Sequence, residues 1–263
     1  MNNKAIGIFD SGIGGLTVFK EIARLLPCED IIYLGDTARV PYGTRSAETV
    51  TQYSFECSDF LLKKNIKLLV VACNTVSAIS LPEMRKRISI PIIGVIEPGA
   101  RAAVNISSSG TIGVIGTEAT VRSNVYVDAI KALNGQAKVL SAACPLFVPL
   151  VEEGWTEGDV ARLTALKYLE PMIKSRVDTL VLGCTHYPLL KGVIQSVMGK
   201  EVKLIDSAVE TAKVVKDLLN GNAKPQNISG ERTFYVTDSE EKFIKVGESF
   251  LKSRIEKIKK VTL

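Results

Sequence analysis

Short apolar runs alternate with longer amphipathic segments along the first two thirds of the chain. Three runs have the length and composition of buried strands: 5–9, 30–35 and 68–72. Between the first two, residues 16–26 place apolar side chains at helical spacing. Strands that alternate with helices are typical of parallel sheets covered by helices. The pattern therefore predicts an α/β fold with doubly wound, mostly parallel sheets.

The same order of elements begins again near residue 111, which indicates an internal duplication. Three pairs of segments match in the same order and at a nearly constant offset: IGIFDS (6–11) with IGVIGT (112–117), VPYG (40–43) with VPLV (148–151), and LLVVACNT (68–75) with DTLVLGCT (178–185). We expect two similar domains related by a pseudo-twofold axis. Ligands of such sheets bind beyond the carboxyl ends of the strands, so the active site is expected in the cleft between the domains.

The turn signal Glu97-Pro98-Gly99 is interpreted as the domain boundary. The second domain is then 98–207. The remaining C-terminal segment offers a helix at about 208–219, a Gly/Asn/Pro-rich connection (Gly221–Gly230), a strand at 232–237 and terminal helices. Because these elements do not make a third unit, we expect them to return to the first half, which gives an N-terminal domain of 1–97 plus 208–263.

The net charge of +5, from 33 Lys and Arg against 28 Asp and Glu, arises in one segment. Residues 242–263 carry seven basic and two acidic side chains, and their apolar positions have helical spacing. We therefore expect the solvated face of a helix, not a nucleic-acid or membrane patch. No apolar run is long enough to cross a bilayer, and we expect a cytoplasmic protein that binds neither nucleic acid nor membrane.

Cysteine and histidine usage argues against a metal site. The five cysteines, at 28, 57, 73, 144 and 184, are odd in number and form no Cys-x-x-Cys pair. Neither a disulfide framework nor a zinc ribbon is indicated. His186 is the single histidine, whereas zinc sites usually draw on several His or Cys ligands. We expect no metal.

A glycine-rich turn after the first strand resembles a nucleotide loop only superficially. In the register that starts at Gly12, Thr17 stands where the last glycine of a dinucleotide fingerprint belongs, and no Gly-Lys-Ser/Thr comes after it. We therefore expect no cofactor. The turn leads into a helix N-terminus whose amides suit a carboxylate or phosphate, unless its glycines serve only to allow a tight turn.

The strongest chemical signal is the pair Cys73 and Cys184. Each ends a buried strand, and each is followed by a polar pair, Asn74-Thr75 or Thr185-His186. A single cysteine after an apolar run is usually a small core residue. Two in equivalent positions of facing halves would instead place thiols on opposite walls of one cleft. One thiolate and one thiol could then remove a proton from one face of a carbon and return it to the other.

Three further residues could assist the two thiols. His186 adjoins Cys184, and Asp10 ends the first strand, where it could serve the other thiol or merely cap a helix. Glu152 lies in the second-half loop that corresponds to Tyr42-Gly43, and it could also be a solvated carboxylate. Tyr42 could as easily be a surface packing residue.

Five motifs, in this order, resemble the glutamate racemases of bacterial cell-wall synthesis, in the aspartate/glutamate racemase family: DSGIGGLTV, YLGDTARVPYG, VVACNT, PLFVPLVEEG and LGCTHYPLL. The resemblance runs from about Ile6 to Asp206. It implies cofactor-independent interconversion of L- and D-glutamate for peptidoglycan synthesis, with Cys73 and Cys184 as alternating base and acid, and it implies a homodimer. By resemblance Asp10, His186 and Glu152 support catalysis, and the substrate-binding positions are Asp10, Ser11, Tyr42, Gly43, Asn74, Thr75, Thr185 and His186.

Two alternatives remain open from the residues alone. A racemase for aspartate or another acidic amino acid would keep both cysteines and differ in pocket size. The one methylene between these substrates is worth only about 1–3 kcal/mol in a simple pocket. A non-enzymatic binding module would keep the pocket, be stabilised by its ligand and exchange no α-proton.

Overall fold

Two parallel β-sheets organise the part of the chain that the computed structural model describes, residues 4–219 and 229–263. In these ranges the strands are β1 (Ile6–Asp10), β2 (Ile31–Gly35), β3 (Leu68–Val71), β4 (Ile92–Gly94), β5 (Thr111–Gly116), β6 (Lys138–Ala143), β7 (Thr179–Gly183), β8 (Lys203–Asp206), β9 (Arg232–Val236) and β10 (Ile258–Lys260). One sheet has the order β10-β9-β2-β1-β3-β4 and the other β6-β5-β7-β8. Every recorded strand pair is parallel, which confirms the predicted fold class.

Helices connect the strands and cover both faces of each sheet. They are α1 (Leu16–Leu25), α2 (Ala47–Leu62), α3 (Asn74–Ile79), α4 (Leu81–Arg87), α5 (Ile96–Ile106), α6 (Glu118–Arg122), α7 (Val125–Leu133), α8 (Phe147–Glu152), α9 (Gly158–Lys174), α10 (Lys191–Met198), α11 (Ser207–Leu219) and α12 (Glu240–Leu251). The central strands β1, β3 and β7 are buried along their whole length. Their apolar runs are therefore continuous and not alternating, as parallel strands covered on both faces require.

The two sheets repeat one topology. The order β2-β1-β3-β4 in the first corresponds to β6-β5-β7-β8 in the second. In each sheet the connections change direction between the two central strands, and such switch points are where ligands bind in α/β folds. The loops after β1, β3, β5 and β7 thus form the expected site positions of the two halves.

The predicted turn at Glu97-Pro98-Gly99 is wrong, because these residues lie in the first turn of α5. A proline is tolerated there, since the first amides of a helix have no intrahelical acceptor to lose. The helix packs against β7 and α7 of the second half. The domain boundary at 97 stays a prediction.

The predicted terminal helix is wrong beyond residue 251. Lys252 adopts a left-handed conformation with φ of 58° and ends α12. The chain then returns as β10, which pairs in parallel with β9 at the edge of the first sheet. The apolar residues Ile255 and Ile258 fit a helical spacing in sequence, but the first is buried beyond the helix and the second begins this edge strand.

The C-terminal segment contacts both halves. β9 pairs with β2, so the last strands extend the first sheet. α11 packs against α1 of the first half and α5 of the second. Most of the Gly/Asn/Pro-rich connection (Gly221–Gly230) lies outside the described residues. Within the described ranges, no helix is long and apolar enough to span a membrane.

Candidate active site

A cavity of about 280 Å³ lies where the carboxyl ends of the two sheets meet. Residues from both halves line it, including both cysteines of the repeated motif. Of the residues predicted from the sequence, the lining contains Ser11, Tyr42, Gly43, Cys73, Asn74, Thr75, Glu152, Cys184, Thr185 and His186. Asp10 is not part of the lining and is only 1% exposed. The structure therefore brings the predicted residues together around one space, with Asp10 directly behind its wall.

On the first wall, Cys73 ends the loop after β3 and precedes α3. Its thiol donates a hydrogen bond to Ser11 Oγ at a sulfur–oxygen distance of 3.2 Å. Burial raises the pKa of the Cys73 thiol to about 12, and the negative charge of Asp10 adds to this rise. The bond to Ser11 opposes the shift but does not cancel it. At neutral pH this wall holds a protonated thiol.

Asp10 is a buried carboxyl on the same side. Its Oδ2 accepts a hydrogen bond from the Gly12 amide at 2.9 Å. Its Oδ1 has no hydrogen-bond partner in the described part of the chain. Burial raises the pKa of Asp10, against the opposing influence of the charge on His186. Ionised Asp10 is therefore costly here, and the group sits where a proton or a positive charge would stabilise it.

On the second wall, Cys184 stands at the start of a chain of three groups. Its Sγ lies 3.8 Å from His186 Nδ1, and His186 Nε2 lies 3.1 Å from Glu152 Oε1. Burial lowers the pKa of His186, but the interactions with Cys184 and Glu152 outweigh it and raise this pKa to about 10. The same contact with His186 lowers the pKa of Glu152. A positively charged imidazole beside Cys184 stabilises negative charge on that sulfur.

Uncharged polar groups occupy the floor between the two cysteines. The Thr75 and Thr117 hydroxyls lie 3.1 Å apart across the cleft, and Thr120 is 3.0 Å from Thr117. Asn74 Nδ2 is buried without a hydrogen-bond partner among the described residues. An unpaired buried donor is unfavourable unless a ligand accepts from it, and carboxylate oxygens are suitable acceptors.

Thr117 is outside the set predicted from the sequence, although it lines the cavity. The match of 112–117 with 6–11 was a signal for it, because this match places Thr117 opposite Ser11. The same repeat accounts for Val40 and Pro41 on one side and Val148 and Pro149 on the other. These apolar residues complete the walls.

Tyr42 is only 2% exposed, so its interpretation as a surface packing residue is wrong. Its hydroxyl donates to Asp36 Oδ2 and is therefore not free to meet a ligand. Asp36 also accepts from Arg39 Nε at 2.6 Å and from Thr237 Oγ1 at 2.8 Å. No sequence pattern indicated Asp36, which holds this loop in place. A Cβ on Gly43 would lie 3.2 Å from Thr117 Cβ, so the loop closes against the second half.

The glycine-rich turn after β1 allows the backbone of the first half to pack closely against the second half. A Cβ on Gly14 would lie 2.3 Å from Thr185 Oγ1 and 2.5 Å from His186 Nδ1. Only glycine allows the first half to pass this close to the second cysteine motif. Thr17 strengthens the contact by donating to the Thr185 carbonyl at 3.0 Å.

The remaining cysteines, Cys28, Cys57 and Cys144, do not line the cavity. All five cysteines are free thiols. In the described ranges no cluster of three or more His, Cys, Asp or Glu side chains is placed to hold a metal ion. The cavity itself offers two thiols, the Glu152 carboxyl, one imidazole and several neutral hydrogen-bond donors, with the Asp10 carboxyl directly behind its wall.

Comparison with known proteins finds strong similarity over the whole chain. The profile of the Asp/Glu/hydantoin racemase family matches residues 6–215. A glutamate racemase from Geobacter metallireducens is 56% identical over 262 residues, which cover 99% of this chain and 97% of the relative. A crystal structure of a glutamate racemase isoform from Bacillus anthracis superposes with a TM-score of 0.96 at 42% identity, covering 100% of this chain and 99% of the other. A glutamate racemase from Francisella tularensis in complex with D-glutamate has a TM-score of 0.93 at 40% identity, with 100% and 98% covered.

Proposed function

The chain belongs to the Asp/Glu/hydantoin racemase family, and from this premise we propose that it interconverts L- and D-glutamate by moving the α-proton between two cysteines. It is an isomerase. One observation carries the proposal: Cys73 and Cys184 lie at the carboxyl ends of equivalent strands of the repeated fold and line one cavity with different chemical surroundings. The names of the relatives, glutamate racemases that include one bound to D-glutamate, support glutamate as the substrate.

In the proposed reaction, Cys184 as thiolate removes the α-proton of one enantiomer, and the Cys73 thiol donates its proton to the opposite face of the carbon. The cycle leaves a thiol at Cys184 and a thiolate at Cys73. The other enantiomer binds to this form of the enzyme, with Cys73 as the base and Cys184 as the acid. The protonated imidazole of His186 supports the thiolate of Cys184 in the first direction. Asp10 lies near Cys73 and acts on it electrostatically.

The carbanion needs electrostatic support, because the α-hydrogen of an amino acid is a very weak acid. Asn74 Nδ2 and the hydroxyls of Thr75, Thr117 and Thr185 are the donors that would bind the carboxylate as negative charge grows on it. Their fixed positions in the wall of a partly enclosed cavity make each donor more effective than it would be in bulk water.

We further propose that the D-glutamate formed serves peptidoglycan synthesis in the cytoplasm and that the protein acts as a homodimer, as the resemblance implies. The free state of all five cysteines supports a reducing compartment. Size-exclusion chromatography with light scattering tests the dimer.

The test of the function is chiral analysis of L-glutamate and, separately, L-aspartate after incubation with the protein in D₂O, with EDTA, reductant and no added cofactor. We expect D-glutamate that carries deuterium at the α-carbon and no comparable reaction of aspartate. The matched background is the protein with both Cys73→Ala and Cys184→Ala. Faster reaction of aspartate than of glutamate would mean that aspartate is the substrate. If a folded and reduced sample binds glutamate but exchanges no α-proton, the protein is a non-enzymatic binding module.

A further inference from the structure

We propose that Tyr126 is a positioning residue for this site: it fixes the side-chain amide of Asn74 so that Nδ2 is available to the ligand, and it ties the two cysteine loops together. The inference rests on the proposed function, since it concerns how the same cavity binds its substrate. Tyr126 does not line the cavity. It acts through Asn74, the residue directly after Cys73, and through Gly183, the residue directly before Cys184.

The ring of Tyr126 is held in a slot in the second half. Asn124, with φ of 57°, separates α6 from α7 and turns the chain so that Tyr126 points into the core, where it is 2% exposed. Two glycines make room for the ring. A Cβ on Gly183 would lie 3.1 Å from Tyr126 Cε2, and a Cβ on Gly99 would lie 3.5 Å from Cε1. With backbone this close to both ring edges, the hydroxyl has a fixed position.

From this slot the hydroxyl reaches the first half. It donates to Asn74 Oδ1 at 2.8 Å. The two ends of an asparagine amide have nearly the same shape, so a neighbouring donor or acceptor decides which end points where. A hydroxyl that donates to Oδ1 leaves the two Nδ2 hydrogens for another acceptor, and none of the described residues supplies one. Because Asn74 lines the cavity, the acceptor we infer is a carboxylate of the bound amino acid.

One side chain thus contacts both loops that carry a cysteine. The hydrogen bond joins it to the loop of Cys73, and the ring edge joins it to the end of β7 before Cys184. The separation of the two sulfurs determines whether a proton can leave one face and return to the other, so a residue that contacts both loops affects that geometry directly.

The experiment compares Tyr126→Phe with Tyr187→Phe. Both tyrosines are buried, and each hydroxyl donates one hydrogen bond of 2.8 Å, to Asn74 Oδ1 in the first case and to the Cys144 backbone carbonyl in the second. Each variant therefore loses one buried hydrogen bond of the same length. The two differ in that Asn74 lines the cavity and Cys144 does not. Thermal unfolding and circular dichroism establish that both variants are folded.

We expect Tyr126→Phe to raise KM for both enantiomers about tenfold with kcat changed less than about threefold. The phenylalanine ring still fills the slot beside Gly183, so the loop of Cys184 keeps its place, and the loss falls on the Asn74 amide that binds the ligand. Tyr187→Phe stays within about twofold of the parent protein. In an Asn74→Ala background, Tyr126→Phe adds less than about twofold, since its route to the ligand is already gone. Equal effects of the two phenylalanine variants, or a full additional effect in the Asn74→Ala background, would overturn the inference.

Calorimetric binding of D-glutamate separates this inference from the proposed function. If the parent protein binds D-glutamate but does not racemise it, the proposed function fails, and the dissociation constants still test Tyr126. We then expect the constant to rise about tenfold for Tyr126→Phe and to stay within about twofold for Tyr187→Phe. Absence of D-glutamate binding to the parent protein would overturn both.

Discussion

The two cysteine walls of the cavity occupy equivalent places in a repeated fold and yet differ in chemistry. Cys73 after β3 contacts the hydroxyl of Ser11 and lies near the buried carboxyl of Asp10. Cys184 after β7 contacts His186, which in turn contacts Glu152. Duplication thus supplies two thiols on opposite sides of one space. Their neighbours differ, because burial and Asp10 raise the pKa of the Cys73 thiol, whereas an imidazole adjoins Cys184. The two-base racemisation proposed above uses one thiol and one thiolate at the same time.

The two carboxyls near the cysteines also differ between the walls: the pKa of Asp10 is raised and that of Glu152 is lowered. Burial raises the pKa of Asp10, which is enclosed behind the first wall. The hydrogen bond with His186 lowers the pKa of Glu152, whose side chain is 38% exposed at the end of α8. Burial on the first wall disfavours a charged Asp10. On the second wall, Glu152 and His186 stabilise each other's charged forms. Variants can therefore be chosen in pairs, so that one member perturbs the first wall and its counterpart perturbs the second.

The largest expected effect belongs to the thiols. Cys73→Ala and Cys184→Ala should each lower kcat/KM for racemisation about 1,000-fold or more, because general acid or base catalysis is worth about 10²–10⁴ and each variant lacks one partner. In D₂O each variant keeps one thiol and can exchange the α-proton of only one enantiomer, with retention. The two variants should therefore exchange opposite enantiomers, measured by mass spectrometry after chiral separation.

Cys28→Ala is the matched control, because Cys28 is a free thiol outside the cavity, and its activity should stay within about twofold. Exchange of both enantiomers by either single-thiol variant would contradict the assignment of one thiol to each face. If Cys73→Ala abolishes the circular dichroism spectrum of the folded protein, Cys73 is needed for folding as a core residue.

Two adjacent glycines allow a finer perturbation of each wall. The added Cβ of Gly14→Ala would meet His186 Nδ1 at 2.5 Å, whereas that of Gly15→Ala would meet the Asp10 side chain at 2.5 Å. Each variant should lower kcat/KM about 100-fold, the usual effect of displacing a reacting group by about 1 Å. His186 is the single histidine, so one NMR titration identifies which wall has moved.

In the parent protein that titration should give a pKa of about 10 for His186. Gly14→Ala separates the imidazole from its partners and should move this pKa downward, toward the ordinary value of 6.5. Gly15→Ala should change it much less, because Cys184 and Glu152, the partners that raise it, stay in place. Gly192→Ala is the control, since a Cβ there meets nothing within 4 Å. A shift in Gly15→Ala as large as that in Gly14→Ala would mean that the two walls do not respond independently.

Much of this comparison was predictable from the sequence. Short apolar runs and helical spacing, with the repeat of 6–11 in 112–117, predicted two parallel sheets and put Cys73 and Cys184 in equivalent positions. The two failures in secondary structure have one physical cause. Glu97-Pro98-Gly99 is compatible with both a turn and a helix start, and Ile255 and Ile258 fit more than one structure, so packing against α7 or pairing with β9 decided between them.

Two residues outside the set predicted from the sequence act across the cleft. Thr117 and Tyr126 make hydrogen bonds to residues 42 and 52 positions away, respectively. The repeat gave a signal for the position of Thr117, but local pattern carries no information on such distant partners. Asp36 instead holds its own loop, through Tyr42, Arg39 and Thr237. Tyr126 in particular has the spacing of an ordinary core residue of α7, and only its position between two glycines and its bond to Asn74 distinguish it.

The smallest expected effect is on stability, and its sign should differ between the walls. Above its raised pKa, Asp10 is a buried carboxylate that disfavours the folded state, so Asp10→Asn should stabilise the protein at pH 7. Glu152 has a lowered pKa and favours the folded state above pH 4.5, so Glu152→Gln should destabilise it. Solvent screening of this half-exposed side chain limits the loss to a few tenths of a kcal/mol.

Urea unfolding between pH 3 and 8 measures how each of these two stability differences depends on pH. As the pH falls below the raised pKa of Asp10 toward the ordinary value of 3.8, the advantage of Asp10→Asn declines and then disappears. As the pH falls below the ordinary glutamate value of 4.5 toward the lowered pKa of Glu152, the disadvantage of Glu152→Gln disappears in turn. Glu201→Gln, exposed and outside the cavity, should change neither. If Asp10→Asn destabilises the protein at pH 7, the ionised carboxylate is favourably paired in the fold, and the contrast between the two walls rests on the thiols alone.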